Sequence, residues 1–207
     1  MRVISLVNLK PGTAKTTSAV WLAHALHQQG ERVLLVDADP TGSALRWSEQ
    51  AEFPFAIVGL AVKDLHRRTP EIATGLGVTV VVIDAPQLED HAGIAMSAVR
   101  LATDVLIPVA PSPIELDRMA PIRDAIDSID VVKTIPTRVA VLLNRVITRA
   151  GSGPGARTAL TSAGFFVLDA QIPRKEIYTL SFGRPIPAGA ADYAQVAREL
   201  LATEEIH

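Results

Sequence analysis

Runs of apolar, largely β-branched residues set the first limit on the fold. Val33-Leu34-Leu35-Val36, Val80-Val81-Val82-Ile83 and Val139-Ala140-Val141-Leu142-Leu143 are continuous rather than alternating. A strand with one wet face alternates apolar and polar residues. A strand covered on both faces does not, and such strands belong to parallel sheets packed between helices. On this basis strands are expected at 2–7, 32–37, 55–62, 78–84, 105–110, 138–144 and 165–170. Helical patterns fill the intervals, at 16–29, 43–50, 64–74, 91–102, 114–129, 156–163 and 192–203. The alternation predicts an α/β fold, a doubly wound, mostly parallel sheet of about seven strands with helices on both faces. Ligands of such a sheet are expected beyond the carboxyl ends of its strands.

The chain has 207 residues, 48% of them hydrophobic, enough for one sizeable core and too few for two ordinary domains. Residues 1–207 therefore read as a single domain, with the glycine-rich stretch 151–155 as a mobile loop before a helix. There are no cysteines, which removes disulfide scaffolds, thiolate zinc sites, iron-sulfur clusters and cysteine nucleophiles. No apolar run approaches the roughly 20 residues of a membrane span, and the start of the chain is too short in apolar residues for a signal peptide. A cytoplasmic protein is expected.

The net charge is -2, but its distribution is uneven. Residues 138–184 carry Arg138, Arg145, Arg149, Arg157, Arg174, Lys175 and Arg184 against only Asp169 and Glu176. With nine aromatics in the whole chain, contact with nucleic acid would rest on charge rather than on base stacking. His24 and His27 have no nearby acid to complete a metal set and are expected to be exposed helix residues. Trp21 and Trp47 read as packing residues, and Ser112 has no matched histidine and acid for a hydrolase triad.

The first strand runs directly into Asn8-Leu9-Lys10-Pro11-Gly12-Thr13-Ala14-Lys15-Thr16-Thr17 and then a helix. A strand, a tight loop and a helix opening on Lys-Thr-Thr form a phosphate cradle. Backbone N–H groups and the helix N-terminus face the anion, Lys15 reaches the outer phosphates, and the Thr16 hydroxyl can ligate Mg²⁺. The strict P-loop pattern is not met, because Leu9 and Ala14 stand at its glycine positions. The fourth strand delivers Asp84 to its end, where a carboxylate can reach the same metal through water. The second strand ends Asp37-Ala38-Asp39-Pro40-Thr41-Gly42-Ser43, which alone is a turn and a helix N-cap.

In combination these segments resemble the ParA/MinD family of partitioning and positioning ATPases. The loop is similar to the family's deviant Walker A sequence, K-G-G-x-G-K-T-T, with Lys10 as its extra lysine and with Pro11 and Ala14 in place of glycines. Asp39-Pro40-Thr41-Gly42-Ser43 resembles its first switch, residues 84–87 its second, and Asn144, Pro173 and Arg174 match segments around the base. The resemblance implies a P-loop NTPase with ATP and Mg²⁺ as cofactors. Gly12, Thr13, Ala14, Lys15, Thr16 and Thr17 would hold phosphate, and Thr16 and Asp84 the metal. Lys10, Lys15 and Asp39 would serve hydrolysis, Lys10 by crossing to the partner subunit. Asn144 is equally a strand-end cap, and Arg174 equally a solvated turn residue.

The family resemblance further implies an ATP-bound homodimer that binds DNA without sequence preference and hydrolyses ATP weakly, stimulated by a ParB-type partner, to segregate or position plasmid or chromosomal DNA. Its place would be the cytoplasm, on the nucleoid. Arg149, Lys175 and Arg184 are the DNA candidates. The first strand begins at residue 2, so the short form without an N-terminal DNA-binding extension is expected. A MinD-like membrane-positioning protein is the alternative, although residues 192–207 hold four acids and one arginine, which anionic lipid repels. A degenerate, non-hydrolysing nucleotide binder is another, suggested by Pro11 and Ala14.

Overall fold

A computed structural model describes residues 1–189 and 191–202. The seven strands are β1 (Arg2–Leu6), β2 (Val33–Asp37), β3 (Ala56–Gly59), β4 (Val80–Asp84), β5 (Asp104–Val109), β6 (Arg138–Val146) and β7 (Phe166–Pro173). They form one sheet in the order β3-β2-β4-β1-β5-β6-β7, and each neighbouring pair is parallel. Every residue of β1, β2, β4 and β5 is buried, as continuous apolar runs require.

Between the strands lie α1 (Lys15–Gln28), α2 (Ser43–Ala51), α3 (Leu65–Gly75), α4 (Leu88–Leu101), α5 (Pro113–Asp117), α6 (Met119–Asp130) and α7 (Ser152–Ser162). After β7 come α8 (Glu176–Thr179) and α9 (Ala191–Ala202). Alternate strand residues feed two separate cores. Val3, Val81 and Ile83 pack with α3, α4, α6 and α7 through Leu65, Ile94, Ile122 and Leu160. Ile4, Leu6 and Val82 pack on the other face with Trp21 of α1, Trp47 of α2 and Val196 of α9.

Three expectations are corrected. The helix expected over 114–129 is two, broken at Arg118, whose ψ of -3° ends α5. Pro121 lacks the N–H that a continuous helix would need there, and sits instead in the first turn of α6, where no such bond is required. The glycine stretch 151–155 is no mobile loop, since α7 starts at Ser152 and Gly155 N–H donates to the Gly151 carbonyl. Gly153 packs 3.1 Å from a Val146 methyl when given a Cβ, so the small residue lets this helix approach the sheet. Helix α4 begins three residues earlier than expected, at Leu88, with non-helical geometry at His91. The last residue of the expected 192–203 helix, Thr203, lies outside the described residues, as does the remainder of the acidic tail.

Register aligns the strand ends that matter. Leu6 and Asp37 both pair with Asp84, so three strands stop at one level and their loops open side by side.

Candidate functional site

The loop after β1 is held from below. Asn8 donates its side-chain amide to the Pro108 carbonyl at 2.8 Å and accepts the Leu9 N–H at 2.7 Å. Its carbonyl and that of Leu9 accept the first N–H groups of α4, from Leu88 and Glu89. Above this base, Gly12 and Ala14 take left-handed conformations, with φ of 76° and 67°. Glycine does so freely, whereas alanine incurs about 1 kcal/mol. Ala14 caps α1 with no side-chain hydrogen bond, so the helix presents bare N–H groups to whatever lies above it.

Lys15 is buried and donates from Nζ to the Lys10 carbonyl at 3.3 Å, folded inside its own loop. Burial lowers its pKa, and the nearby carboxylates of Asp84 and Asp39 offset part of that. Asp84 is buried at the end of β4, and burial pushes its carboxyl up to about 7; a hydrogen bond from Thr16 pulls in the opposite direction. One of its oxygens, Oδ2, has no partner, and neither does the buried Thr13 hydroxyl. Unmatched buried polar atoms are costly, and two of them beside a bare helix N-terminus suit a polar ligand. No group of three acid, histidine or cysteine ligands occurs among the described residues. A hydroxyl and a single carboxyl fit Mg²⁺, which keeps waters and shares phosphate oxygens, and do not fit a metal needing a full protein cage.

Two acids of the β2 loop divide their work. Asp37 is buried and committed to backbone, accepting Leu45 N–H at 2.9 Å and Asp39 N–H at 3.2 Å, which ties β2 to α2. Burial raises its pKa, and these bonds oppose the rise. Asp39 is less buried, accepts the Thr41 N–H at 2.8 Å and faces Lys15 closely enough to affect it. Lys10 turns outward to an ion pair with Glu89 at 3.5 Å, both side chains about two-fifths exposed.

Beside the loop opens a cleft of about 550 Å³, lined on one wall by Ala14 and Thr17 and on the other by Asn144, Arg145, Pro173 and Arg174. Residues that lie some 130 positions apart in the chain thus share one hollow, with the phosphate cradle at one end. Asn144 is buried at the end of β6, accepting Arg145 N–H at 2.7 Å and donating to Ser18 Oγ at 3.0 Å.

The DNA candidates fare differently. Lys175 lines the cleft and pairs with Asp192 at 2.7 Å. Arg184 is exposed beside a shallower hollow with Trp21 and Leu180. Arg149 is exposed in the turn after β6, with φ of 70°. Two members of the basic stretch are committed elsewhere: Arg138 pairs with Asp104, and Arg157 donates to the carbonyls of Val167 and Leu168. His24 is a correction: it is buried, bonded through Nδ1 to the Val20 carbonyl, and edge-on to Phe53 and Phe55. Apolar partners from the loop after α2, far along the chain, cover it, and nothing near His24 in sequence signals them.

Sequence reasoning missed Tyr178 and Tyr193 at the cleft and Ser18 buried behind Asn144. Tyr193 of α9 is fully buried, yet its hydroxyl meets Ser18 Oγ at 3.0 Å. The available signal was faint: a tyrosine on the apolar side of a helix, in a chain of few aromatics, needs a partner for its hydroxyl.

A cradle for phosphate, a metal-ready hydroxyl and carboxyl, and an adjoining hollow on one parallel sheet define a P-loop nucleotide-binding protein. The profile of the CobQ/CobB/MinD/ParA nucleotide binding domain matches residues 4–186, and the chain belongs to that family. It is 35% identical to Maintenance of carboxysome distribution protein A of Gloeobacter kilaueensis, over 96% of this chain and 94% of that one. The Chromosome partitioning protein ParA of Caulobacter vibrioides is 37% identical over 89 residues, 43% of this chain and 29% of that one. Among solved structures, the Mycobacterium smegmatis cobyrinic acid a,c-diamide synthase with bound ADP and magnesium shares the fold. The match has a TM-score of 0.77 at 21% identity, over 99% of this chain and 96% of that one. No helix among the described residues is long and apolar enough to cross a membrane.

Proposed function

We propose that this chain is a Mg²⁺-dependent ATPase that dimerises when ATP is bound and positions a large cargo in the cell. One observation carries the reading: the Asp84 carboxyl, buried against the Thr16 hydroxyl and next to Lys15, keeps one oxygen without a partner. Bound Mg²⁺ would supply charge neutralisation of the phosphates there. Thr16 and Asp84 would hold it, Asp84 through water. The N–H groups of residues 12–17 receive the phosphates, and Lys15 exchanges the Lys10 carbonyl for a phosphate oxygen. Asn144, Pro173 and Arg174 hold the base. Asp39, with its carboxylate near Lys15 and not committed to the fold as Asp37 is, orients the attacking water.

Lys10 crosses to the phosphates of the second subunit, which makes dimerisation depend on the nucleotide. Arg149, Lys175 and Arg184, presented twice by a dimer, give DNA binding that ignores sequence and weakens with salt. The near full-length likeness to a protein named for carboxysome distribution supports a cargo carried by a stimulating partner. The shorter ParA match supports the second reading, in which a ParB-type partner brings plasmid or chromosomal DNA to be segregated.

Sedimentation and light scattering with ADP, ATP and duplex DNA test the reading. ATP alone should give a dimer, and only that dimer should bind DNA. Lys10→Ala should keep nucleotide binding but lose the dimer and most turnover, and Asp39→Ala should leave a dimer trapped on DNA. A wild-type protein that stays monomeric with Mg-ATP, or binds DNA equally with ADP, would reject the proposal.

A further inference from the structure

The wall of the cleft holds an amide whose orientation is fixed from outside. Asn144 Oδ1 faces the Arg145 N–H at 2.7 Å, and a backbone N–H can only donate, so Oδ1 must occupy that side. Nδ2 therefore points to Ser18 Oγ at 3.0 Å. The Ser18 hydroxyl in turn shares a hydrogen bond with the Tyr193 hydroxyl at 3.0 Å. Tyr193 has no freedom to shift: its ring stacks on Trp21 with centroids 5.9 Å apart and stands edge-on to Tyr178 at 5.5 Å. Burial and the neighbouring Asp192 raise its pKa, so the phenol stays protonated. The donor side of Asn144 thus faces both the Ser18 and the Tyr193 hydroxyls, and Oδ1 keeps one lone pair.

We infer that Ser18 and Tyr193 are positioning residues that set nucleotide selectivity by clamping Asn144 in one amide orientation. The inference rests on reading the cleft as the base site. A primary amide presents an acceptor beside a donor, and adenine presents its 6-amino donor beside the N1 acceptor. The corresponding edge of guanine carries the reverse order, O6 acceptor beside N1–H donor. An amide free to turn about its Cβ–Cγ bond would serve both bases. One held at Arg145 and at Ser18 offers Oδ1 to the adenine 6-amino group, and guanine sets its O6 acceptor against that same oxygen. Selectivity here is a matter of how firmly Asn144 is held, and helix α9, whose first turn carries Tyr193, supplies that firmness from far along the chain.

The test uses the full chain and competition binding of ATP, GTP and inorganic tripolyphosphate, with Mg²⁺, beside a thermal melt. Wild-type protein should prefer ATP to GTP. Ser18→Ala should lower the ATP-to-GTP affinity ratio by about 3- to 10-fold, the worth of one buried hydrogen bond. Tyr193→Phe, which keeps the ring packed on Trp21, should lower it in the same direction by less. Tripolyphosphate affinity should not change in either variant, because the phosphate cradle is untouched. An unchanged ratio in both variants overturns the inference. So does a parallel fall in ATP and GTP affinity with a lowered melting temperature, which would assign the pair to stability alone. Wild-type protein that binds both nucleotides equally overturns it while leaving the phosphate site in place. Failure to bind any of the three probes overturns the proposed function, and this inference with it.

Discussion

Asp104 at the amino ends of the strands and Asp84 at the carboxyl ends are both buried, and the protein treats the two in opposite ways. At the amino ends of the strands, Asp104 accepts from Arg2 Nε at 3.1 Å, from Arg138 at 2.9 Å and from the Thr103 hydroxyl at 2.6 Å. Nearby, Asp130 takes the N–H and the hydroxyl of Thr137, and Lys133 donates to that hydroxyl and to the Ala102 carbonyl. At the carboxyl ends, Asp84 has Thr16 and little else, with one oxygen unmatched and its pKa pushed up to about 7. The loop above it adds a left-handed alanine and a lysine folded onto a carbonyl of its own loop. Charges completed by protein fasten one end. At the other Asp37 is likewise completed by backbone N–H groups, but Asp84 is left incomplete, and what is missing there is what a hydrated metal ion and the acceptor oxygens of a polyphosphate bring.

Substitutions at each end should therefore fail in different ways. The largest effect is expected from Asp104→Ala, which strands the buried Arg2 guanidinium. Unfolding by denaturant should show a loss of about 3–5 kcal/mol, while the folded fraction keeps its nucleotide affinity. A loss of affinity without a loss of stability would erase the contrast between the ends. Lys15→Ala should do the reverse. Removing a charge-assisted bond to phosphate should cost on the order of 100-fold in ATP affinity by calorimetry, with little change in the unfolding midpoint, since no acid accepts a hydrogen bond from the Lys15 amine.

Smaller changes sharpen the comparison. Ala14→Gly should relieve left-handed strain at the open end and stabilise the fold by about 0.5–1 kcal/mol, less the extra freedom glycine gives the unfolded chain. Denaturation curves for the variant that match wild type would show that the loop carries no strain. The smallest effect concerns His24, buried on α1 at neither end. Burial lowers its pKa below the ordinary 6.5, with the Val20 carbonyl opposing and His27 adding to the fall. Between those two values the unfolded chain binds a proton that the folded chain does not, so the His24 contribution to stability falls as pH drops below about 6.5, against the rise that Asp84, with its pKa pushed up to about 7, contributes over the same range. His24→Gln should remove the His24 part of the slope in melts over the same range. An unaltered slope would assign it elsewhere.

Much of this was written in short stretches of sequence. Continuous apolar runs of four or five residues mark the buried parallel strands β2, β4 and β6, and β2 and β4 end on the aspartate that follows the run. That Lys15, Thr16 and Asp84 lie together was legible for that reason: the loop and the strand end are local features, and the sheet class says on which side they open. The break at Arg118 and the helical start at Ser152 were less so, because proline and glycine are tolerated in first turns and the sequence does not say where a turn begins.

The sequence by itself determined the class of sheet, most of its strands and the polar make-up of the loop after β1, because periodicity and loop composition act over a few residues. Tertiary structure alone decided which residues complete the cleft. Ser18 meets Asn144 across 126 positions and Tyr193 across 175. Arg2 meets Asp104 across 102. Those partners follow from the strand order β3-β2-β4-β1-β5-β6-β7, which puts β1 at the centre and folds α9 back against α1. Strand order is set by how whole faces pack, a sum over both cores that no local stretch of sequence contains.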